Sequence, residues 1–311
     1  MRKTHSVNRL TSLVAFGLLV AVGFVTTHAR EPGTSFRARP REISIQKYSG
    51  WMSRLPGSVP LSQLSLPGTH DSCALHDGLS FGFAKCQSWK LADQLKAGTR
   101  FIDIRCRHVG DRFLIYHGVI DQRMTFKQVC DVCREFLQEH PSECIVMSVK
   151  EESTPENNSR SFGETFADLT KNDCKLWHVS REISELGSVR TRIVLVDRVG
   201  TLGGLNWDLM QRQDQYTAPL EQKTKLIRDH FEKAVKAGDH RWFINFCSGT
   251  VPGSLLTPRQ YALKSNEIAL DFLRQQTADA PVRLGTIVMD FPSKELIERI
   301  VETNFACKKT R

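Results

Sequence analysis

Seven short apolar runs recur along this chain, at 63–67, 100–105, 113–117, 144–149, 192–197, 242–246 and 286–290, and helix-period segments lie between them. Leu91 and Leu95 share a face before a stop at Gly98. Thr125 is placed to N-cap a helix carrying Phe126, Val129, Cys130, Cys133 and Leu137, which Pro141 ends. Residues 219–237 gather Leu220, Leu226, Ile227, Phe231 and Val235 on one side, and 258–275 does the same with Tyr261, Ile268 and Phe272. Strands alternating with helices over this length dictate a parallel sheet, and seven or so units favour a (β/α) barrel over an open sheet. Neither a GxGxxG nor a Walker sequence is present, which counts against a nucleotide-binding open sheet. The polar stretch 151–175 reads as a surface excursion.

The flanks have a different character. Arg2, Lys3 and Arg9 form a basic head, Leu13 to Val25 is an uncharged apolar run, and Thr27-His28-Ala29 offers small residues for cleavage. This is the pattern of a secretory signal over 1–29 and predicts a secreted or periplasmic protein; an uncleaved anchor is the alternative. Residues 30–50 read as a flexible lead-in, 51–302 as one domain and 303–311 as a tail. Without the leader, 40 basic residues stand against 34 acidic ones, a formal +6. That suits an anionic surface or a phosphate-bearing substrate and falls short of a nucleic-acid footprint. Nine cysteines remain, an odd number, so at least one has no partner within a monomer. Cys130 and Cys133 sit at helical spacing with no second CxxC or HxxxH to complete a metal site, so they read as small buried residues.

The strand ends carry the chemistry. His70 and Asp71 follow the first strand, where Pro67-Gly68 reads as a sharp turn. Asp103 and Arg105 end the second and His117 the third; Lys150 ends the fourth, followed by Glu151, and Arg198 the fifth. Asp290 ends the last, ahead of Phe291-Pro292. Barrel enzymes collect their sites from strand C-termini, and two histidines can serve as base and acid while carboxylates hold their tautomers. Arg105 can grip a phosphate bidentately, and Lys150 and Arg198 can line a pocket for a polar or anionic headgroup. His76, His108, His140, His178, His230 and His240 are expected to be structural, with His230 and His240 solvated.

Leu66-Pro67-Gly68-Thr69-His70-Asp71-Ser72, Phe101-Ile102-Asp103-Ile104-Arg105 and His117-Gly118 together resemble the X-domain of the bacterial phosphatidylinositol-specific phospholipases C. Met52-Ser53-Arg54-Leu55-Pro56, Pro141-Ser142-Glu143, Met147-Ser148-Val149-Lys150 and Asn245-Phe246 extend the likeness over about 51–302. The resemblance implies a distorted, incompletely closed (β/α)8 barrel of the TIM type. It also implies cleavage of phosphatidylinositol, or of glycosylphosphatidylinositol anchors, to diacylglycerol and inositol 1,2-cyclic phosphate. In its terms His70 is the general base with Asp290 as its partner, Arg105 binds phosphate, and His117 is the general acid supported by Asp71. Asp103 is a further site carboxylate. Lys150, Arg198 and Asp214 hold the inositol, and Tyr216 stacks on its ring. The expected partners are a phosphatidylinositol-containing membrane surface and the inositol headgroup, with no nucleic acid, for a chain acting as a monomer.

No cofactor or metal is implied. Calcium-dependent relatives have asparagine after the first histidine and acidic ligands around the second motif, whereas here Asp71 and Arg105 stand there. Calcium takes six to eight oxygen ligands, and a fixed guanidinium charge repels it. The cysteines depart from the family pattern, and a Cys73–Cys86 bridge around the first loop is one reading of them. The rim loop after Phe246 is short, leaving Phe81, Phe83 and Trp89, with Lys85 nearby, either to enter an interface or to pack on the barrel. Two other functions remain open. A glycerophosphodiester phosphodiesterase-like barrel would need metal, and a non-catalytic lipid-binding X-domain would need no acid–base pair.

Overall fold

The computed structural model describes residues 48–237, 241–251, 253–276 and 281–305. The leader at 1–29, nearly all of the lead-in, His240, Cys307 and most of the tail lie outside the described residues. The strands are β1 (Leu66–Thr69), β2 (Phe101–Val109), β3 (Arg112–His117), β4 (Ile120–Thr125), β5 (Ile145–Glu151), β6 (Trp177–His178), β7 (Ile193–Asp197), β8 (Leu205–Asn206), β9 (Gln211–Gln213), β10 (Phe243–Phe246) and β11 (Thr286–Met289). The helices are α1 (Leu91–Ala97), α2 (Phe126–Glu139), α3 (Phe162–Thr170), α4 (Leu186–Val189), α5 (Leu220–Lys236), α6 (Pro258–Arg274) and α7 (Lys294–Glu302). Among the described residues no helix is long and apolar enough to cross a membrane.

Parallel ladders run in the order β6-β7-β5-β2-β1-β11-β10-β9, with β8 on the same edge of β7 as the continuation of β6. The sheet curls into a barrel that does not close between β8 and β9. Only residues 207–210, a 3₁₀ turn and one residue more, connect those two strands. A parallel crossover needs a dozen residues or more, so β9 has no means of returning to pair with β8.

Both faces of the barrel strands are buried, and the pleat sorts them by parity. Ile102, Ile104, Ile145, Met147, Val149, Ile193 and Leu195 pack outward against α1, α2 and α3. Leu66, Phe101, Val146, Val194, Val196 and Phe246 belong to the other cluster, which continues into α5, α6 and α7. Following the inward parity upward from Phe101 gives Asp103 and Arg105, from Val146 gives Ser148 and Lys150, and from Leu66 gives Gly68 and His70. The active-site candidates are therefore the polar tops of core-facing rows.

Several elements differ from the sequence reading. Pro67-Gly68 lies inside β1 rather than in a turn: a Cβ on Gly68 would stand 3.0 Å from the Phe101 side chain, so the glycine is there for close strand approach. The sharp bend comes later, at Asp71, whose φ is +40°. β3 is not a barrel strand. It pairs antiparallel to the overlong β2 and then to β4, a hairpin folded off the barrel. The 151–175 excursion contains α3, started by a Ser161–Glu164 capping box that the polar flanks obscured. His230 is buried against the Gln211 carbonyl rather than solvated. Thr125 caps α2 as expected, through a full capping box with Gln128.

The end of the barrel away from the strand C-termini is fastened by a fully buried ion pair. Arg100 donates through Nε and Nη2 to Glu143 (2.9 and 2.7 Å) and through Nη1 to the Leu95 and Thr99 carbonyls. Glu143 in turn accepts from the Met52 amide, binding the segment that precedes β1. Removing one member of a buried pair strands the other charge. Glu143→Ala is expected to lower unfolding free energy by about 3–5 kcal/mol in denaturant titration; a loss no greater than that of an exposed salt bridge would contradict this role.

Candidate active site

His70 and Asp290 meet because β1 and β11 are neighbours in register. Thr69 is opposite Met289, the His70 amide donates to the Met289 carbonyl at 2.9 Å, and the next residue of each strand faces the barrel mouth. His70 Nδ1 lies 2.8 Å from Asp290 Oδ1, with both side chains buried. Arg105 Nη2 lies 2.6 Å from His70 Nε2. A guanidinium has only donors, so Nε2 must accept, which places the ring proton on Nδ1 against Asp290. His70 thus presents an unprotonated Nε2 to the site, beside the Arg105 guanidinium.

Arg105 is the electrostatic centre. Its guanidinium is within 3.2 Å of Asp103, 3.9 Å of Asp71 and 3.6 Å of Glu152. Burial alone would raise the Asp103 carboxyl, but Arg105 and Arg198 outweigh it and hold that group far below the usual carboxylate range. Asp103 also accepts from Ser148 Oγ (3.0 Å) and Arg198 Nη1 (3.0 Å). Asp71 has less help. Burial pushes its carboxyl up to about 7 against the pull of Arg105 and His70, and neither of its oxygens has a hydrogen-bond partner. Its φ of +40° is backbone strain located at the site.

The remaining candidate residues lie further round the barrel. Arg198 bridges Asp103 and Asp214 (3.6 Å) and stacks 4.2 Å over the Trp207 ring. The Tyr216 ring stands 5.8 Å from that of His70. Lys150 pairs with Glu152 at 2.7 Å, and Glu152 also accepts from the Gly118 amide, which fixes the backbone next to His117. Glu151, one residue earlier, faces the wrong way. Parity from Val146 and Ser148 could have singled out Glu152 instead.

His117 reaches the site from the β3–β4 hairpin turn rather than from a barrel strand end. Its Nδ1 is 2.8 Å from the Ala84 carbonyl, so it donates there and leaves Nε2 for exchange with a substrate. Asp71, expected to support His117, accepts no hydrogen bond from it. The Cys86 thiol lies beside both groups instead, 3.9 Å from His117 Nδ1. Cys73 and Cys86 are separate thiols, and all eight described cysteines are free. Gln87, which no sequence pattern marks, donates to the carbonyls of His70 and Met289 and ties the two strand ends together. All ten residues expected at the site from sequence thus converge on it, joined through Arg105, Glu152 and Cys86.

A loop at 77–84 overhangs this mouth. Asp77 accepts from Ser80, Gly82 and Ala84 and shapes the loop so that Leu79 and Phe81 are about nine-tenths exposed. A Cβ on Gly78 would meet Ile120 and one on Gly82 would meet Thr257, placing the loop between the hairpin turn bearing exposed Val119 and the segment bearing exposed Leu255. Phe83 is partly exposed, while Trp89 is half-buried against the core.

The X-domain model of phosphatidylinositol-specific phospholipase C matches residues 58–199. The 1-phosphatidylinositol phosphodiesterase of Listeria monocytogenes is 32% identical over 276 residues, covering 82% of this chain and 84% of the relative. The solved structure of the phosphatidylinositol-specific phospholipase C from Listeria monocytogenes superposes with a TM-score of 0.70 at 30% identity, over 83% of this chain and 98% of that one. A variant of the Staphylococcus aureus enzyme shares the fold, with a TM-score of 0.74 at 24% identity over 85% and 99% of the two chains. Since identity, coverage and fold agree over most of both chains, this chain belongs to the family of the bacterial phosphatidylinositol-specific phospholipases C.

Proposed function

We propose that this protein cleaves phosphatidylinositol to diacylglycerol and inositol 1,2-cyclic phosphate, without a metal cofactor, at a membrane surface outside the cytoplasm. The observation that carries the reading is the placement of His70, with Nδ1 2.8 Å from Asp290 and Nε2 2.6 Å from Arg105, which favours the tautomer that leaves a lone pair on Nε2. Nε2 takes the proton of the inositol 2-hydroxyl as its oxygen attacks the phosphorus. Asp290 stabilises the imidazolium that results. Arg105 moves its hydrogen bonds to the phosphate oxygens and offsets the charge that develops there. Protonated His117 donates from Nε2 to the departing diacylglycerol oxygen.

Because nucleophile and electrophile share one molecule, the protein's task is alignment and charge, not the bringing together of two reactants. Lys150, Arg198 and Asp214 offer partners to the ring hydroxyls, and Tyr216 offers a face for the ring. Glu152 keeps Lys150 and the hairpin turn in position. Leu79, Phe81, Phe83, Val119 and Leu255 ring the mouth with apolar surface, which suits a lipid interface. The leader over 1–29 supports action on the far side of a membrane from the cytoplasm.

Phosphorus NMR of phosphatidylinositol vesicles with chelator present should show a five-membered cyclic phosphate; turnover only when calcium is restored would overturn metal-independent catalysis. His117→Ala should lose about 10²–10⁴-fold in kcat on phosphatidylinositol and far less on an aryl inositol phosphate, whose leaving group needs no proton. Equal losses on both substrates would remove His117 from the acid role. Phe81→Ala should weaken vesicle binding several-fold and leave turnover of a soluble monomeric substrate within about twofold, since an exposed tip contributes little else. Unchanged vesicle binding would move the interface elsewhere.

A further inference from the structure

Cys86 plays no part in the proton transfers above, yet it occupies the ground between the two histidines. Its Sγ, a carboxylate oxygen of Asp71 and a ring nitrogen of His117 all lie within 4.8 Å of one another. Its Sγ falls within the same limit of His70 and Asp290. These two groupings are not equivalent. In the second, the histidine and aspartate bond each other at 2.8 Å, and the other histidine nitrogen faces Arg105. In the first, neither carboxylate oxygen of fully buried Asp71 has a hydrogen-bond partner, and one of them lies within 4.8 Å of the thiol and the imidazole. A buried carboxylate with no hydrogen bond and its cation 3.9 Å away is costly, and here one of its oxygens lies close to two more ligand atoms.

We propose that Asp71, Cys86 and His117 form an inhibitory site for a thiophilic divalent cation, of which zinc is the type. Sulfur, nitrogen and oxygen in one cluster is a zinc donor set, and three protein ligands leave the fourth position to water. A four-coordinate ion holds its ligand atoms about 3.3–3.8 Å apart, given bonds of about 2.0–2.3 Å. The cluster needs only to tighten. The same donors do not suit calcium, which wants six to eight oxygens, and the nearby Arg105 opposes a hard dication that brings no thiolate with it. On binding, the Cys86 thiol gives its proton to solvent, and the thiolate and Asp71 carboxylate together balance the ion's charge. If the ion takes His117 at Nδ1, the proton now held against the Ala84 carbonyl leaves as well. The bound ion removes His117 and Asp71 from the reaction. The inhibitory consequence rests on the acid role proposed for His117; the binding site does not.

The test uses the full chain, reduced and freed of metal. Cobalt(II) alone should produce one equivalent of a thiolate-to-metal charge-transfer band with tetrahedral visible bands, displaced by zinc. Both features should be absent from Cys86→Ala and retained in Cys174→Ser, which changes the one exposed described cysteine. Cys86→Ser, closer in volume, replaces the alanine variant if that one fails to fold. In turnover assays zinc should inhibit the natural chain reversibly by chelation, and the Cys86 variant should be at least tenfold less sensitive while still active. No band in the natural chain, the same band in the Cys86 variant, or equal zinc sensitivity of the two would overturn the proposal. A chain that turns nothing over yet gives the Cys86-dependent cobalt spectrum would uphold the metal site and remove the catalytic reading instead.

Discussion

The pairing of the first barrel strand with the last is the constraint on which the site depends. β1 and β11 lie 220 residues apart in sequence at His70 and Asp290, and they are held in a parallel register that sets Thr69 opposite Met289. One further residue along each strand gives an imidazole and a carboxylate at hydrogen-bonding distance. A slip of one residue would turn His70 outward, because side chains alternate along a strand. The surroundings guard that register. Gly68 lets Phe101 approach, Gln87 grips both strand ends, and Asn266 donates to the Asp290 carbonyl. The backbone bends sharply straight afterwards on both strands, at Asp71 and Phe291, each with positive φ.

Around that pair, charge is arranged so that one cation serves several acids. Asp103 sits between Arg105 and Arg198, and Glu152 sits between Arg105 and Lys150, so these two carboxylates stay ionised and fix the cations in place. Asp71 is left with weak compensation and an upward-shifted carboxyl. Sites that carry unmet polar groups in a buried setting spend stability on chemistry or on ligands. The same weakly compensated carboxylate adjoins His117 and Cys86, and these three form the proposed metal site.

Much of this was readable from residues alone, for a physical reason. Barrel strands deliver their C-terminal ends to one rim, so charged residues that close apolar runs mark a candidate site, and His70, Asp103, Arg105 and Lys150 are legible by that position; the period-two pleat is the reason they face the mouth. What escaped lacked such a signal. The direction of β3 depends on the tight turn at Gly110-Asp111, which a run of apolar residues does not reveal, so His117 ends the strand expected of it, but that strand runs antiparallel off the barrel. Pro67-Gly68 obeys packing against Phe101, not local turn preference. Cys86 and Gln87 enter from a loop with no period, and α3 was hidden by polar flanks despite its capping box. The open seam between β8 and β9 follows from four connecting residues, once the two short strands on either side are known.

The most direct test is a double-mutant cycle on kcat/KM for His70→Ala, Asp290→Asn and the two combined, with phosphatidylinositol as substrate. If Asp290 acts by holding the tautomer and charge of His70, the double variant will be no slower than His70→Ala alone. Losses that simply multiply would mean the two side chains act independently, and would contradict the view that the β1–β11 register builds the catalytic base.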